Sequence, residues 1–158
     1  MVTPFHQKLI IELQRQNADF VLIGGHAALL YGSDRTTGDM DLLVNPTAEN
    51  GEKIIQAFHR LGLDIEDLVP TDFETNLVLS FGFEPNGVDI INYLKLTDFQ
   101  TIAHNASWVE LEKNLQIPVI DARDLLAEKK QLNREGKKGL SDQIDIINIE
   151  KYLEINRR

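Results

Sequence analysis

Two aspartates separated by one apolar residue are the feature of this sequence best suited to chemistry. They lie in Asp39-Met40-Asp41-Leu42, ahead of further apolar residues. Alternate side chains of a β-strand face the same side, so Asp39 and Asp41 are predicted to point together while their apolar neighbours enter the core. Adjacent carboxylates repel unless a cation lies between them, and Mg²⁺ binds oxygen ligands, commonly one or two carboxylates together with substrate phosphate. An isolated Asp-x-Asp also occurs on exposed strands, so this interpretation needs support from other residues.

A third acidic residue, Asp89, lies inside the apolar segment Val88-Asp89-Ile90-Ile91. A buried carboxylate has to be paired, neutralised or bound to metal. If this segment is a strand beside residues 40–44, the three carboxylates together could hold one or two metal ions for displacement at phosphorus. The alternative is an aspartate that faces water from an edge strand.

A glycine pair, Gly24-Gly25, follows the apolar run at residues 20–23 and precedes a helical pattern. Glycine lets the backbone approach a ligand closely and adopt conformations that other residues avoid. Free N–H groups at the start of a helix suit phosphate. The pair therefore predicts a phosphate contact, although two glycines after a strand also make an ordinary tight turn.

Two basic residues are candidates for phosphate binding. Arg35 precedes Asp39 by four residues and could steer a triphosphate or pair with Asp41, while Lys129 could reach a phosphate from a late helix. Each could equally be a solvent-facing side chain. Four further residues are predicted to have structural roles. His26 is expected to cap or pack and Trp108 to pack, while Asp142 and Asp145 lie three residues apart and would share one face of a helix.

The elements that must position these residues alternate between helix and strand. Apolar spacing and the placement of Pro, Gly and Thr predict helices at 4–17, 26–31, 48–61, 122–134 and 141–155, and strands at 20–23, 40–44, 76–81, 88–91 and 117–120. Turn-forming residues at 82–87 make strands 76–81 and 88–91 a hairpin. We therefore predict an α/β (α+β) chain with a small mixed sheet, as one domain over 1–158, with a core at 1–120 and helices at 121–158.

Charge and composition narrow the functional classes. The 158 residues are 42% hydrophobic, contain no cysteine and carry a net charge of −9, which excludes cysteine-ligated metal centres and disfavours sequence-blind nucleic-acid binding. Residues 1–120 hold 7 Lys/Arg against 17 Asp/Glu, whereas residues 121–158 hold 9 against 8. The segment 123–138 is the most basic part of the chain. It could be a helix that faces solvent or one that faces phosphate. The pattern predicts a cytoplasmic protein with no membrane segment.

Taken together, Ile23-Gly24-Gly25-His26, the thirteen residues from 26 to 38, and Asp39-Met40-Asp41-Leu42 resemble the signature of the DNA polymerase beta-like nucleotidyltransferases. Within this superfamily, residues 24–44 and the stretch 124–145 are similar to the group containing the AbiEii-type abortive-infection toxins. The resemblance covers about residues 18–150, and it differs at Gly25, where many members have Ser.

The resemblance implies a nucleotidyltransferase fold and a role for each matched residue. Gly24 and Gly25 would hold the triphosphate, and Asp39 and Asp41 would bind Mg²⁺ (or Mn²⁺). Asp89 would be the third acid and the base for an acceptor hydroxyl. Lys129 would match the lysine that contacts the nucleotide, and Arg35 stays a nucleotide-binding candidate from its position alone.

The predicted activity is transfer of a nucleoside monophosphate from a nucleoside triphosphate to a hydroxyl group. The acceptor could be tRNA, a protein side chain or a small molecule, and the chain could be part of a toxin–antitoxin pair with a cognate antitoxin or regulator as partner. The alternative is a nucleotide-binding partner module without catalysis. A small α/β protein with no such site would require every motif above to be coincidental.

Overall fold

A six-stranded mixed sheet forms the centre of the molecule. The computed structural model describes residues 2–65 and 67–157. Its strands are β1 (Phe20–Ile23), β2 (Met40–Val44), β3 (Val78–Phe81), β4 (Val88–Ile91), β5 (Ser107–Glu112) and β6 (Leu115–Val119). Their order is β3-β4-β2-β1-β6-β5, with β1 parallel to β6, β2 parallel to β4 and the other three pairs antiparallel.

Six α-helices flank this sheet. They are α1 (Pro4–Arg15), α2 (Gly24–Leu30), α3 (Ala48–Arg60), α4 (Phe99–Asn105), α5 (Ala122–Gln131) and α6 (Gly136–Ile155), with a 3₁₀ helix at Pro70–Glu74. The predicted α/β class, mixed sheet and helical C-terminal region are confirmed. The predicted hairpin is confirmed as well, since β3 and β4 pair antiparallel.

Local sequence signals explain most helix boundaries. Thr3 caps α1 by accepting a hydrogen bond from the His6 backbone N–H, and Pro4 occupies the first turn, where its missing N–H costs nothing. Thr47 caps α3 in the same way through Asn50, as predicted. Gly62 follows the end of α3 with φ +71°, the left-handed conformation that ends many helices.

The core fills the sheet centre and the inner faces of the helices. β1 is buried along its whole length, and Met40, Leu42, Leu43 and Val44 of β2 are fully buried. Burying a Leu or Ile side chain contributes roughly 1.5–3 kcal/mol. These strands therefore supply the rigid platform on which Gly24 and the aspartates are held.

The segment between β4 and β6 differs most from the sequence prediction. No element was predicted there, yet it contains α4 and the edge strand β5. The packing role predicted for Trp108 is wrong, because its side chain is 66% exposed on β5. β5 lies at one end of the sheet and, among the described strands, pairs with β6 alone. No helix of the described residues is both long and apolar enough to span a bilayer.

Candidate active site

A cavity opens at the sheet edge where β1 and β6 end and β2 and β4 begin. Its volume is about 220 Å³. The polar lining consists of Gly24, Asp41, Asp89, Glu128, Lys129 and Arg134, and the apolar lining of Ile23, Ile91, Leu94, Ile120, Leu125 and Leu132. Larger depressions of about 860 and 630 Å³ lie elsewhere, but neither contains a predicted site residue. Four of the predicted residues thus meet in one cavity.

Asp41 and Asp89 are direct neighbours across β2 and β4. The parallel pairing places them in register, and each lies between fully buried or nearly fully buried residues of its own strand. Both carboxylates therefore leave the sheet on the same side, as the sequence predicts if the two strands are adjacent. Burial raises the pKa of Asp41 to about 7, with further contributions from the charge of Asp89 and a side-chain hydrogen bond with it. The positive charge of Lys129 opposes this shift in pKa.

Neither glycine of the pair has room for a side chain, because neighbouring side chains occupy both Cβ positions. Gly24 begins α2 with φ +67°, and a Cβ built on it would overlap the Asp41 carboxylate. A Cβ on Gly25 would lie 2.6 Å from Thr37 Oγ1 and 2.8 Å from Arg35 Nη2. Glycine is required at residue 24 on both conformational and steric grounds. The Gly24 backbone therefore lies directly against the Asp41 carboxylate.

Asp39 lies just ahead of β2, next to Gly87. Its carbonyl oxygen accepts a hydrogen bond from His26 Nδ1 at 3.0 Å, and its carboxylate occupies the space that a Cβ of Gly87 would need. Its charge also acts on Asp41 by raising the pKa of that residue. Asp39 is exposed and does not line the cavity, although it lies close to the acid pair.

Two histidines hold the backbone around the acids. His6, fully buried, accepts a hydrogen bond from the Thr3 N–H at its Nδ1, so its Nε2 carries the proton and donates to the Gly87 carbonyl at 3.0 Å. The same carbonyl accepts from Met40 N at 2.9 Å. The His6 and His26 rings meet edge to face, 5.5 Å apart. His26 is buried, as predicted, whereas His6 was not singled out, because nothing near it in the sequence marks a contact with residue 87.

Replacing His6 with phenylalanine is expected to destabilise the fold in a pH-dependent way. The Gly87 carbonyl loses one donor, which costs about 1–3 kcal/mol of unfolding free energy at pH 7.5. Burial lowers the pKa of His6, so below pH 6.5 the unfolded wild-type chain takes up a proton that the folded chain does not. Wild type therefore loses stability on acidification and the deficit of the variant shrinks. Urea unfolding at pH 7.5 and 5.5, with exposed His59→Gln as control, measures this; equal deficits at both pH values would contradict it.

Lys129 is buried at the base of the cavity. Only 5% of its side chain is exposed, and its Nζ lies 3.2 Å from Asp142 Oδ1 and 2.9 Å from Asp145 Oδ2. The alternative of a solvent-facing lysine is therefore wrong. Its Nζ is held between α6 and the acid pair, within electrostatic reach of Asp41.

Arg35 makes an ion pair with α6. Its Nε and Nη2 donate to the two carboxylate oxygens of Asp145 at 2.8 and 2.7 Å, and Ser33 Oγ donates to Asp145 Oδ1 at 2.7 Å. The sequence left open a pair with Asp41, and the structure gives Asp145 as the partner instead. A contact between Arg35 and triphosphate stays a prediction.

A different arginine, Arg134, lines the cavity, although the sequence did not single it out as a site residue. The Arg134 Nε donates to Asp142 Oδ2 at 2.8 Å. Among the described residues, every buried side-chain nitrogen or oxygen has a hydrogen-bond partner. The structural role predicted for Asp142 and Asp145 agrees with this network. The signal that could have identified Arg134 was the basic segment at 123–138.

The acid pair fits a hard divalent cation. Asp41 and Asp89 are neighbours in register, and burial together with the negative charge of Asp89 raises the pKa of Asp41. A positive charge beside the two carboxylates would relieve this repulsion. In residues 2–65 and 67–157, no group of three His, Cys, Asp or Glu side chains is already arranged as a metal site. Asp39 would have to turn from Gly87 to join the pair.

Comparison with known proteins identifies the fold. The structure is similar to that of the lincosamide antibiotic adenylyltransferase LnuA, solved with lincomycin bound, with a TM-score of 0.55. The alignment covers 96% of this chain and 98% of that chain at 17% sequence identity. No family model matches the chain, and no curated protein matches its sequence. The likeness shows that the chain has the fold of a nucleotidyltransferase, as predicted.

Proposed function

We propose that this protein is a metal-dependent nucleotidyltransferase that transfers a nucleoside monophosphate from a nucleoside triphosphate to a hydroxyl group of a small molecule. The observation that carries this is the in-register pair Asp41 and Asp89, which shares one cavity with Gly24 and Lys129. Residues distant in sequence meet there on a fold shared with an adenylyltransferase.

The binding roles follow from charge and position. Lys129 and Arg134 are the cavity cations available to the triphosphate, and the Gly24 backbone lies against the acid that they face. Asp39, Asp41 and Asp89 would hold Mg²⁺ or Mn²⁺, which when bound supplies neutralisation of the phosphate charge. The rigid strands hold these groups in place, so catalysis rests mainly on positioning and electrostatics.

The chemical step needs a base beside the acceptor. Asp89 takes the proton of the acceptor hydroxyl, whose oxygen attacks the α-phosphorus. A new P–O bond forms, the bond from the α-phosphorus to the bridging oxygen breaks, and pyrophosphate leaves with those electrons. Aliphatic side chains line the cavity together with Asp89, and such a lining would disfavour water as a competing acceptor.

A small-molecule acceptor suits the site better than RNA. LnuA is named for adenylyl transfer to a lincosamide antibiotic, and the two chains align over nearly their whole lengths. The net charge of −9 opposes the binding of a long polyanion such as RNA. Transfer to tRNA or protein, as in a toxin with a cognate antitoxin, is the competing outcome of the same test, as is membership of the AbiEii-type group.

The test is a transfer assay with each α-³²P-labelled nucleoside triphosphate, Mg²⁺ or Mn²⁺, and separate acceptors: lincomycin, an aminoglycoside panel, total tRNA and cell lysate. Label on a small molecule is expected, with loss of at least about 1,000-fold in the Asp39→Ala/Asp41→Ala variant. Asp64→Asn, at an exposed position outside the cavity, is the matched control and keeps full activity. Label on RNA or protein instead would replace the acceptor class.

A nucleotide-binding module without catalysis is the second candidate. It is favoured by the absence of a ready three-carboxylate group among the described residues. Calorimetry with a nucleoside triphosphate and Mg²⁺ separates the two. Metal-dependent binding with no label transfer to any acceptor would establish the module, and absence of binding would remove both.

A further inference from the structure

Asp145 of α6 binds two cations, Arg35 and Lys129, that are far apart in the sequence. Asp145 accepts two hydrogen bonds from the Arg35 guanidinium and makes an ion pair with Lys129 through the same carboxylate. Its side chain is fully buried. The residue touches neither the cavity nor the aspartates directly, so its influence on the site must pass through its partners.

These partners lie on two sides of the glycine turn. Arg35 Nη2 packs against Gly25, while Lys129 lines the cavity with Gly24 and acts electrostatically on Asp41. A single carboxylate therefore sets the separation of the arginine and the lysine. The guanidinium has five N–H donors. Two bind Asp145 and a third binds the Thr36 carbonyl, which leaves donors free beside the turn.

The ion pairs of Asp142 and Asp145 fix the positions of the cations more than they stabilise the fold. Two buried carboxylates, Asp142 and Asp145, are matched by three cations, and a buried ion pair gains little net stability once its desolvation is included. The fork-shaped pairing of arginine with carboxylate fixes direction as well as distance. Such an arrangement suits a site in which positive charge must lie at defined points.

We propose that Asp145 is a positioning residue of the nucleotide site: its carboxylate holds Arg35 and Lys129 at the separation needed to bind the triphosphate across the Gly24-Gly25 turn. The inference rests on the proposed function. It makes α6 part of the nucleotide site, although no residue of α6 lines the cavity.

The experiment compares Asp145→Asn and Asp145→Glu with Ser33→Ala. Asp145→Asn removes the charge that both cations need, and Asp145→Glu keeps the charge but moves the carboxylate by one methylene. Ser33→Ala removes a hydrogen bond to the same oxygen without touching either cation, so it reports the purely structural contribution. Circular dichroism and thermal melting confirm folding, and Asp145→Glu alone decides the matter if Asp145→Asn does not fold.

Two readouts are used, calorimetric binding of the α,β-methylene analogue of the nucleotide that wild type prefers, and steady-state kinetics. We expect the analogue to bind about 10- to 100-fold more weakly to Asp145→Asn, and to a lesser degree to Asp145→Glu. KM for the nucleotide should rise more than kcat falls, while Ser33→Ala binds as wild type does. Equal affinities of the folded Asp145 variants and Ser33→Ala would overturn the inference alone. Failure of wild type itself to bind or transfer would instead overturn the proposed function, and this inference with it.

Discussion

Replacing Asp41 with asparagine is expected to abolish nucleotidyl transfer and, at pH 8, to stabilise the protein in the absence of metal. The neutral amide keeps the shape of the side chain but removes a negative charge that faces Asp89 and Asp39 in a buried position. Loss of an electrostatic group of this kind from a reaction centre costs at least about 100- to 1,000-fold in rate. The proposed catalytic acid Asp41 is thus one whose negative charge destabilises the folded protein when no cation is bound.

The pH dependence of this gain follows from the direction of the pKa shift. Asp41 has a pKa of about 7 in the folded protein and an ordinary value of 3.8, so between these values the folded state binds the extra proton. Stability therefore falls as pH rises from about 4 to 7, and the full penalty is present above 7. A shift of this size corresponds to at most about 4 kcal/mol, and relaxation of the acid pair reduces it to about 1–3 kcal/mol.

The measurement is thermal melting of both proteins in EDTA at pH 4 and pH 8. For a chain of this length, each kcal/mol corresponds to about 2–4 °C, so the melting temperature of the variant should be roughly 2–12 °C higher than that of wild type at pH 8 and nearly equal to it at pH 4. Asp64→Asn, at an exposed residue that does not line the cavity, serves as control and should show no gain in melting temperature. A variant that melts below wild type at pH 8 would show that the acids are not in electrostatic conflict.

Replacing Gly24 with alanine is expected to cost both stability and transfer, far beyond the usual effect of a methyl group. Two costs add at this residue, since φ is +67° and the new Cβ overlaps the Asp41 carboxylate. The left-handed conformation costs alanine about 1–2 kcal/mol. The collision then displaces the acid from Asp89, and a shift of about 1 Å at a reaction centre costs on the order of 100-fold in rate.

Gly62 provides a matched control, because it has φ +71° and no atom within 4 Å of its Cβ position. Gly62→Ala therefore carries the conformational cost alone, about 1–2 kcal/mol in urea unfolding, with full transfer activity. The difference between the two variants isolates the collision with Asp41. Equal losses of stability, or a Gly24→Ala variant with wild-type kcat/KM, would show that the turn is not pressed against the acid.

The sequence predicts the central strands because their patterns are local. Apolar runs bounded by glycine identify β1 and β4, and the alternation of acid and apolar residues places Asp41 on the side away from the core. Whether β4 lies beside β2 depends on a parallel pairing between segments separated by the long α3 region. That pairing is a property of the whole sheet. The sequence could therefore predict the contact between Asp41 and Asp89 only on the assumption that the two strands are adjacent.

Long-range polar contacts lie beyond sequence patterns. Arg35 and Asp145 are separated by 110 residues and His6 and Gly87 by 81, and nothing in either neighbourhood indicates the other. The charge pattern identified the basic segment at 123–138 but not the acids that neutralise it from α6. For Trp108 the prediction from residue type was wrong. A large apolar side chain suggested a place in the core, whereas its position on an edge strand leaves it exposed.

The proposed role of Asp145 has a consequence for synthesis of the chain, because Asp145 follows its partner Arg35 by 110 residues. At roughly 5–20 residues per second, a ribosome takes roughly 5 to 20 s to make the intervening 110 residues. Over that time the glycine turn and the acids of β2 and β4 emerge into the cell while Lys129 and Arg35 still lack their shared carboxylate. If nucleotide binding requires Asp145, as we propose, the nascent chain would remain inert towards cellular triphosphates until translation has passed α6.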